Sequence, residues 1–220
     1  MKVSSQKKSS LSKYPLFLGI YLGLVNLNCV NMSASEAFTS NEIVPDILDD
    51  APKELLKVSY TSGINLEIGS ELTPTQVKDQ PNVEYEGDND AFYTLLLTDP
   101  DAPSRTDPKV REVRHWLVVN IPGNKVSEGE TKWSYIGSGP PQGSNLHRYV
   151  FLLFKQTNGK QDFDLPTVPN TSRDGRLNTN TRELIKKYNL ELVAGNFYQA
   201  QFDDYVPILH AQLGGAPKIN

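Results

Sequence analysis

In this chain one short run alternates acid with proline: Asp99-Pro100-Asp101-Ala102-Pro103. Carboxylates can move protons, hold a metal or orient an imidazole, and the prolines stiffen the turn and remove two backbone donors. His115 directly precedes the apolar run Trp116–Ile121, and His147, followed by Arg148 and Tyr149, opens another that ends at Phe154. Imidazole titrates near about pH 6–7 and can serve as donor, acceptor or metal ligand. Gly137-Ser138-Gly139-Pro140-Pro141 lies upstream of His147, and glycine there lets backbone approach a ligand closely.

The residues alone leave several chemistries open. Two carboxylates can serve a hydrolase, although facing carboxylates usually come from separate elements and these are two positions apart. Two histidines and an aspartate form a ligand set for zinc or iron, although no His-x-x-x-His pattern is present. No Gly-x-Ser-x-Gly marks a serine nucleophile. In a purely structural reading these polar groups satisfy buried strand ends.

Such groups need a rigid frame. Phe92–Leu97, Trp116–Ile121 and Tyr149–Phe154 are short, rich in branched and aromatic side chains, and bounded by Pro, Gly or Asp. They predict central strands buried on both faces, with the candidate residues at their ends, where a site is rigid yet open to solvent. Leu55–Tyr60 and Ile64–Ile68 predict a hairpin around Ser62-Gly63, Leu72–Glu86 an irregular connection, and Glu36–Asp50 a short helical turn. Asn180, with Glu183 three positions on, predicts a capped helix over Thr181–Tyr188. Phe197–Phe202 reads as a strand. A terminal helix follows from Asp203 or Asp204, with Pro207 near its first turn and Gly214-Gly215 at its end. Asp162-Phe163-Asp164 is expected in a surface loop, and Arg105, Arg111 and Arg114 in a solvated one. The sum is an antiparallel, sandwich-like, mainly β domain with a few peripheral helices. Strands and helices do not alternate regularly, which argues against a doubly wound α/β sheet.

With 220 residues the chain has the length of one domain and can bury a single core. Its 22 basic and 26 acidic residues form no basic cluster, so nucleic acid is not an expected partner. Lys2, Lys7, Lys8 and Lys13 precede the apolar run Leu16–Val30, and Ser33-Ala34-Ser35 follow. That order reads as a signal peptide over residues 1–35, cleaved near Ser35 for secretion. The apolar run, broken by Asn26 and Asn28, is shorter than the roughly 20 residues of a bilayer span. The alternatives are a membrane anchor and a cytoplasmic tail. Residues 1–35 hold four of the basic residues and no acid, so residues 36–220 carry a net charge of −8. They also lack cysteine, because Cys29 lies in the leader, which excludes a disulfide or thiolate–metal site after cleavage. Asn170-Thr171-Ser172 matches the N-glycosylation pattern, which has meaning only on the secretory route.

The chain resembles the phosphatidylethanolamine-binding protein family, which includes the Raf kinase inhibitor proteins. The resemblance rests on Leu97–Arg105, on His115–Gly123, on Gly137–Pro141 with Leu146–Phe151, and on Ala200–Pro207, and it covers roughly residues 40–215. It implies a large central antiparallel sheet packed on a smaller one, with a C-terminal helix. It further implies a pocket for a phospholipid head group such as phosphoethanolamine, or for phosphate or acetate, in a non-enzymatic binder without metal or cofactor. Carried over by position, the ligand-binding residues are Asp99, Asp101, Ala102, Pro103, His115, Gly139, Pro141, His147 and Tyr149, with His210 at the mouth. The resemblance also implies a cis peptide before the first histidine, at Arg111–Glu112, and a protease or kinase as a protein target. The protein is expected to be a monomer.

Two positions depart from the family pattern. Val113 stands where an aromatic residue is common, and His210 where a tyrosine from the C-terminal helix closes the pocket. A third imidazole makes pH-dependent binding an expectation. Because free carboxylates repel phosphate, Asp99 and Asp101 are expected to orient and charge His115 and His147. Imidazole N–H, the Tyr149 hydroxyl and backbone N–H groups would then meet the anion.

Overall fold

The computed structural model describes residues 33–215 together with Met1. Most of the leader reading, Cys29 included, falls outside the described residues. The three apolar runs form β4 (Phe92–Asp99), β5 (Val113–Pro122) and β7 (His147–Gln156). With β1 (Glu54–Leu55), β6 (Glu130–Trp133) and β8 (Leu190–Ala200) they make a six-stranded sheet in the order β1-β8-β7-β4-β5-β6. Every pairing is antiparallel except that of β1, which runs parallel beside Ala194-Gly195. The sheet is therefore mixed, where a wholly antiparallel one was expected. A two-residue edge strand is too short to carry a pattern of its own.

Successive side chains of the central strands enter opposite cores, which is why these runs are apolar at nearly every position, Thr94 and Asn120 excepted. Leu95, Leu97, Trp116, Val118, Tyr149 and Phe151 pack with Val58 and Val83 of a small antiparallel sheet, β2 (Lys57–Ser59) and β3 (Asn82–Glu84). Leu96, Leu117, Val119, Val150, Leu152 and Phe154 face the helical layer of α1 (Ala34–Ser40), α2 (Ile43–Asp46) and α3 (Thr181–Tyr188).

The expected hairpin exists only as a turn. Tyr60 N–H donates to Ile64 O and Gly63 takes a φ of 88°, but beyond the turn a single bridge joins Ser59 to Asn65. The ladder partner of β2 is Asn82–Glu84, from the stretch expected to be irregular. Only one side chain of β3, Val83, is buried, and one apolar residue shows no period.

α1 opens on a capping box: Ser33 Oγ accepts from Glu36 N–H at 3.2 Å, and the Glu36 carboxylate accepts from Ser33 N–H at 3.0 Å. The helix begins at Ala34, upstream of the expected domain start at residue 36. Phe38 is fully buried edge-on against Phe197, 5.4 Å between centroids. β8 starts well before the expected Phe197 because Gly195 disguises its middle: a Cβ there would lie 2.9 Å from the Phe38 ring. α3 has the expected bounds and cap, with Asn180 Oδ1 accepting from Glu183 N–H at 3.1 Å. The Asp162-Phe163-Asp164 expectation needs correction, since Phe163 is buried with its ring 4.3 Å from that of Tyr188, and only the aspartates face solvent. α4 (Val206–Gln212) ends before two glycines with φ of 86° and 95°, and its Leu209, with Leu213, packs on Ile136.

Candidate anion-binding site

β4 runs antiparallel to both its neighbours, so its C-terminal end meets the starts of β5 and β7. That topology alone brings Asp99, His115, His147 and Tyr149 to one edge of the sheet. The segment around Ile136 and Gly139 and helix α4 close over them, leaving a cavity of about 300 Å³. Asp99, Ala102, Pro103, His115, Gly139, Pro141, His147, Tyr149 and His210 all line it. Asp101 does not.

Asp99 and His147 are both buried and form an ion pair, with His147 Nδ1 2.9 Å from Asp99 Oδ2. Burial pushes the Asp99 carboxyl up. The charge and hydrogen bond of His147, His115 nearby and the Asp101 N–H outweigh it and hold the carboxyl below its usual range. Burial likewise disfavours charged His147, but Asp99 prevails and raises the imidazole above its ordinary value. The second nitrogen, Nε2, donates to Ser144 Oγ at 2.9 Å, and that hydroxyl donates to Pro141 O at 2.8 Å.

His115 is different. Its Nδ1 faces two carbonyls, Ile136 O at 3.2 Å and Gly137 O at 3.1 Å, and must carry the hydrogen there, which leaves Nε2 as an acceptor. Burial lowers its pKa to about 4, so the ring is neutral near pH 7. The expectation that the aspartates charge both histidines therefore holds for His147 and fails for His115. The Tyr149 hydroxyl accepts from Gly139 N–H at 3.3 Å, and burial keeps the phenol protonated. His210 Nε2 lies 3.0 Å from Gly139 O at the mouth, and burial, with Arg173 nearby, lowers its pKa.

Asp101 turns the other way. It is fully buried, and its carboxylate accepts from Arg148 N–H at 2.8 Å, Nε at 2.9 Å and Nη2 at 2.6 Å. Arg148 continues to Asp46 Oδ2 at 2.6 Å and Asn41 O at 2.7 Å, so this pair ties the strand ends to the helical layer. The Arg105, Arg111 and Arg114 expectation also needs correction. Arg105 bonds Glu42 at 2.7 Å, Arg111 bonds Pro100 O at 2.5 Å, and Arg114 is buried 4.7 Å over the Trp133 ring. The Arg111–Glu112 and Ala102–Pro103 peptides are cis.

Two arginines of the cavity wall carry no motif in the sequence. Arg176 is fully buried and donates to the carbonyls of Ser172, Pro169, Arg114, His115 and Ser134, at 2.8 to 3.3 Å. Arg173 Nη1 donates to Gly215 O at 2.6 Å, while its buried Nη2 has no partner. Among the described residues neither guanidinium has a carboxylate within 4.0 Å. Burial lowers Arg176 to about 10, which still leaves it charged near pH 7. Both arrive on a loop that pairs with β5 through Arg114 N–H to Arg176 O, at 2.8 Å. Serine, aspartate and glycine around them read as an ordinary loop.

The model of the phosphatidylethanolamine-binding protein family matches residues 49–199. The Drosophila melanogaster protein named "Putative odorant-binding protein A5" is 37% identical over 201 residues, covering 91% of this chain and 95% of that protein. The chain belongs to the phosphatidylethanolamine-binding protein family. Among solved structures of this fold, the solution structure of CG7054 is 49% identical with a TM-score of 0.64, covering 78% of this chain and 98% of that one. A carboxypeptidase Y inhibitor, seen in complex with its cognate proteinase, is 27% identical with a TM-score of 0.66, covering 80% and 98%.

Within this phosphatidylethanolamine-binding protein fold, the two departures sit on the cavity wall: Val113 beside His115, and His210 at the mouth. Leu177, Leu209 and Leu213 add an apolar side. The site thus combines a self-neutralised acid–base pair, one imidazole acceptor, two cations and an apolar flank. Among the described residues no group of three or more His, Cys, Asp or Glu is placed to hold a metal, and no helix is long and apolar enough to cross a membrane.

Proposed function

We propose that this chain is a secreted, non-enzymatic binder of a small anion, such as a phosphate-bearing head group like phosphoethanolamine, and that it holds the ligand in the cavity at the ends of β4, β5 and β7. The observation that carries this reading is the charge inventory. Asp99 and His147 cancel each other, whereas Arg173 and Arg176 line the same cavity with no carboxylate partner. Arg176 is fully buried and Arg173 half-buried; a buried cation without a counter-charge costs several kcal/mol, and an anion beside it recovers much of that cost. The engaged groups also favour binding over catalysis: both nitrogens of His147 and Nδ1 of His115 are already committed to protein partners. Carriage of a small ligand agrees with the name of the Drosophila relative. Inhibition of a protease is the second reading, favoured by the proteinase complex of the carboxypeptidase Y inhibitor. A cytosolic kinase would be out of reach of a secreted chain.

Calorimetric titration with phosphoethanolamine, inorganic phosphate and acetate tests the first reading. Saturable one-site binding of a phosphate ligand, with Kd below about 1 mM, is expected. No binding of any of the three overturns it. In the same preparation, slowed peptide hydrolysis by carboxypeptidase Y would favour the second reading.

A further inference from the structure

We infer that Arg173 selects the charge of the ligand, so that the cavity takes a phosphate monoester dianion in preference to a phosphodiester or carboxylate monoanion. This rests on the anion-binding reading above and deepens it.

The cations of the cavity wall differ in what each can still offer. Arg176 has given every donor direction to backbone carbonyls, so it supplies positive potential but no free hydrogen bond. It can offset one negative charge through the field alone. Lys109, also on the wall, lies 2.8 Å from Asp107 and is already neutralised. Arg173 is unlike both. One arm is anchored on Gly215 O at 2.6 Å, the unpaired Nη2 has no surface open to the cavity, and the half-buried side chain lines the cavity with no carboxylate beside it. An anchored guanidinium holds its positive charge at a fixed place beside the cavity, so its field acts on a bound anion with little further ordering of the side chain.

The charge sum then discriminates between ligands. The inner end is neutral, since Asp99 and His147 cancel and His115 is uncharged. Two cations remain. A monoanion leaves one of them uncompensated, whereas a phosphate monoester, carrying about −1.5 to −2 near pH 7, matches both. A phosphodiester has a single charge and so leaves one of them uncompensated, as a carboxylate does. Inorganic phosphate shares the monoester chemistry.

Titration of wild type and Arg173→Gln with phosphoethanolamine, inorganic phosphate, glycerophosphoethanolamine and acetate tests the assignment. Near pH 7.5, Arg173→Gln is expected to lose about 10- to 100-fold in affinity for the first two ligands. The diester and acetate should change by less than about threefold, and wild type should prefer monoester to diester. Arg173→Lys, which keeps the charge but not the fork, should recover part of the monoester affinity. Thermal unfolding of each variant reports whether the lost Gly215 anchor has damaged the fold. Equal losses for monoester and diester, or none, overturn the role of Arg173 while the pocket reading survives. Failure of wild type to bind any of the four overturns both.

Discussion

Asp99 stands within reach of two histidines, and what each Nδ1 faces decides which one it charges. His147 Nδ1 faces a carboxylate, and His115 Nδ1 faces two carbonyls that reward the neutral ring equally well. In ¹H–¹⁵N histidine titrations, His147 should titrate above its ordinary value, and His115 should stay neutral down to about 4. Asp99→Asn should lower the His147 pKa, because Asp99 is the chief group opposing burial, with Asp101 and the Pro103 backbone contributing less. The pair's effect on stability has a definite window. A raised histidine stabilises fully below its unfolded pKa and loses that effect as pH rises through its folded value. A lowered aspartate stabilises above its unfolded pKa and loses the effect as pH falls through its folded value. The pair therefore contributes most between about pH 4 and 6.5, and Asp99→Asn should flatten the stability profile there, costing about 1–3 kcal/mol. A His147 titration unmoved by the substitution would refute this account. The acid-proline run was legible as a functional residue cluster, but the divergence of Asp101 from Asp99 was not. Neighbouring side chains of a turn part according to the backbone path, which residue types do not encode.

At the scale of elements, Arg148 and Asp101 join the start of β7, the turn after β4 and the loop between α1 and α2. Both side chains are fully buried. Asp101→Asn leaves Arg148 partly unpaired and should cost about 3–5 kcal/mol in urea unfolding, with the folded fraction keeping its anion affinity. Weakened anion binding at unchanged stability would return Asp101 to the cavity. The central strands and α3 were readable because each buries a regular face: nearly every residue in β4, β5 and β7, and a spaced set behind a strong cap in α3. β1 and β3 were not, because strands of two or three residues owe their pairing to distant partners.

For the whole molecule, the proposed leader, residues 1–35, overlaps the start of α1 in sequence. Cleavage near Ser35 would remove Ser33 and its capping box while leaving Phe38 and its contact with Phe197 in place. Intact mass of the protein secreted from insect or yeast cells should place the mature N-terminus within a few residues of Glu36. A chain starting at Glu36 should be about 1 kcal/mol less stable than one starting at Ser33. Retention of the full chain inside the cell would refute secretion. Residue order by itself determined the family, the two-faced central strands and the set of groups gathered around Asp99, His115 and His147. Motif spacing and near-continuous apolar runs are local properties that a linear chain displays directly. Only the tertiary structure decided which aspartate faces the cavity, which histidine is charged, and that Arg173 and Arg176 stand there without counter-charges. Those depend on burial and on partners tens of residues away, and desolvation acts on a group only once its neighbours have arrived.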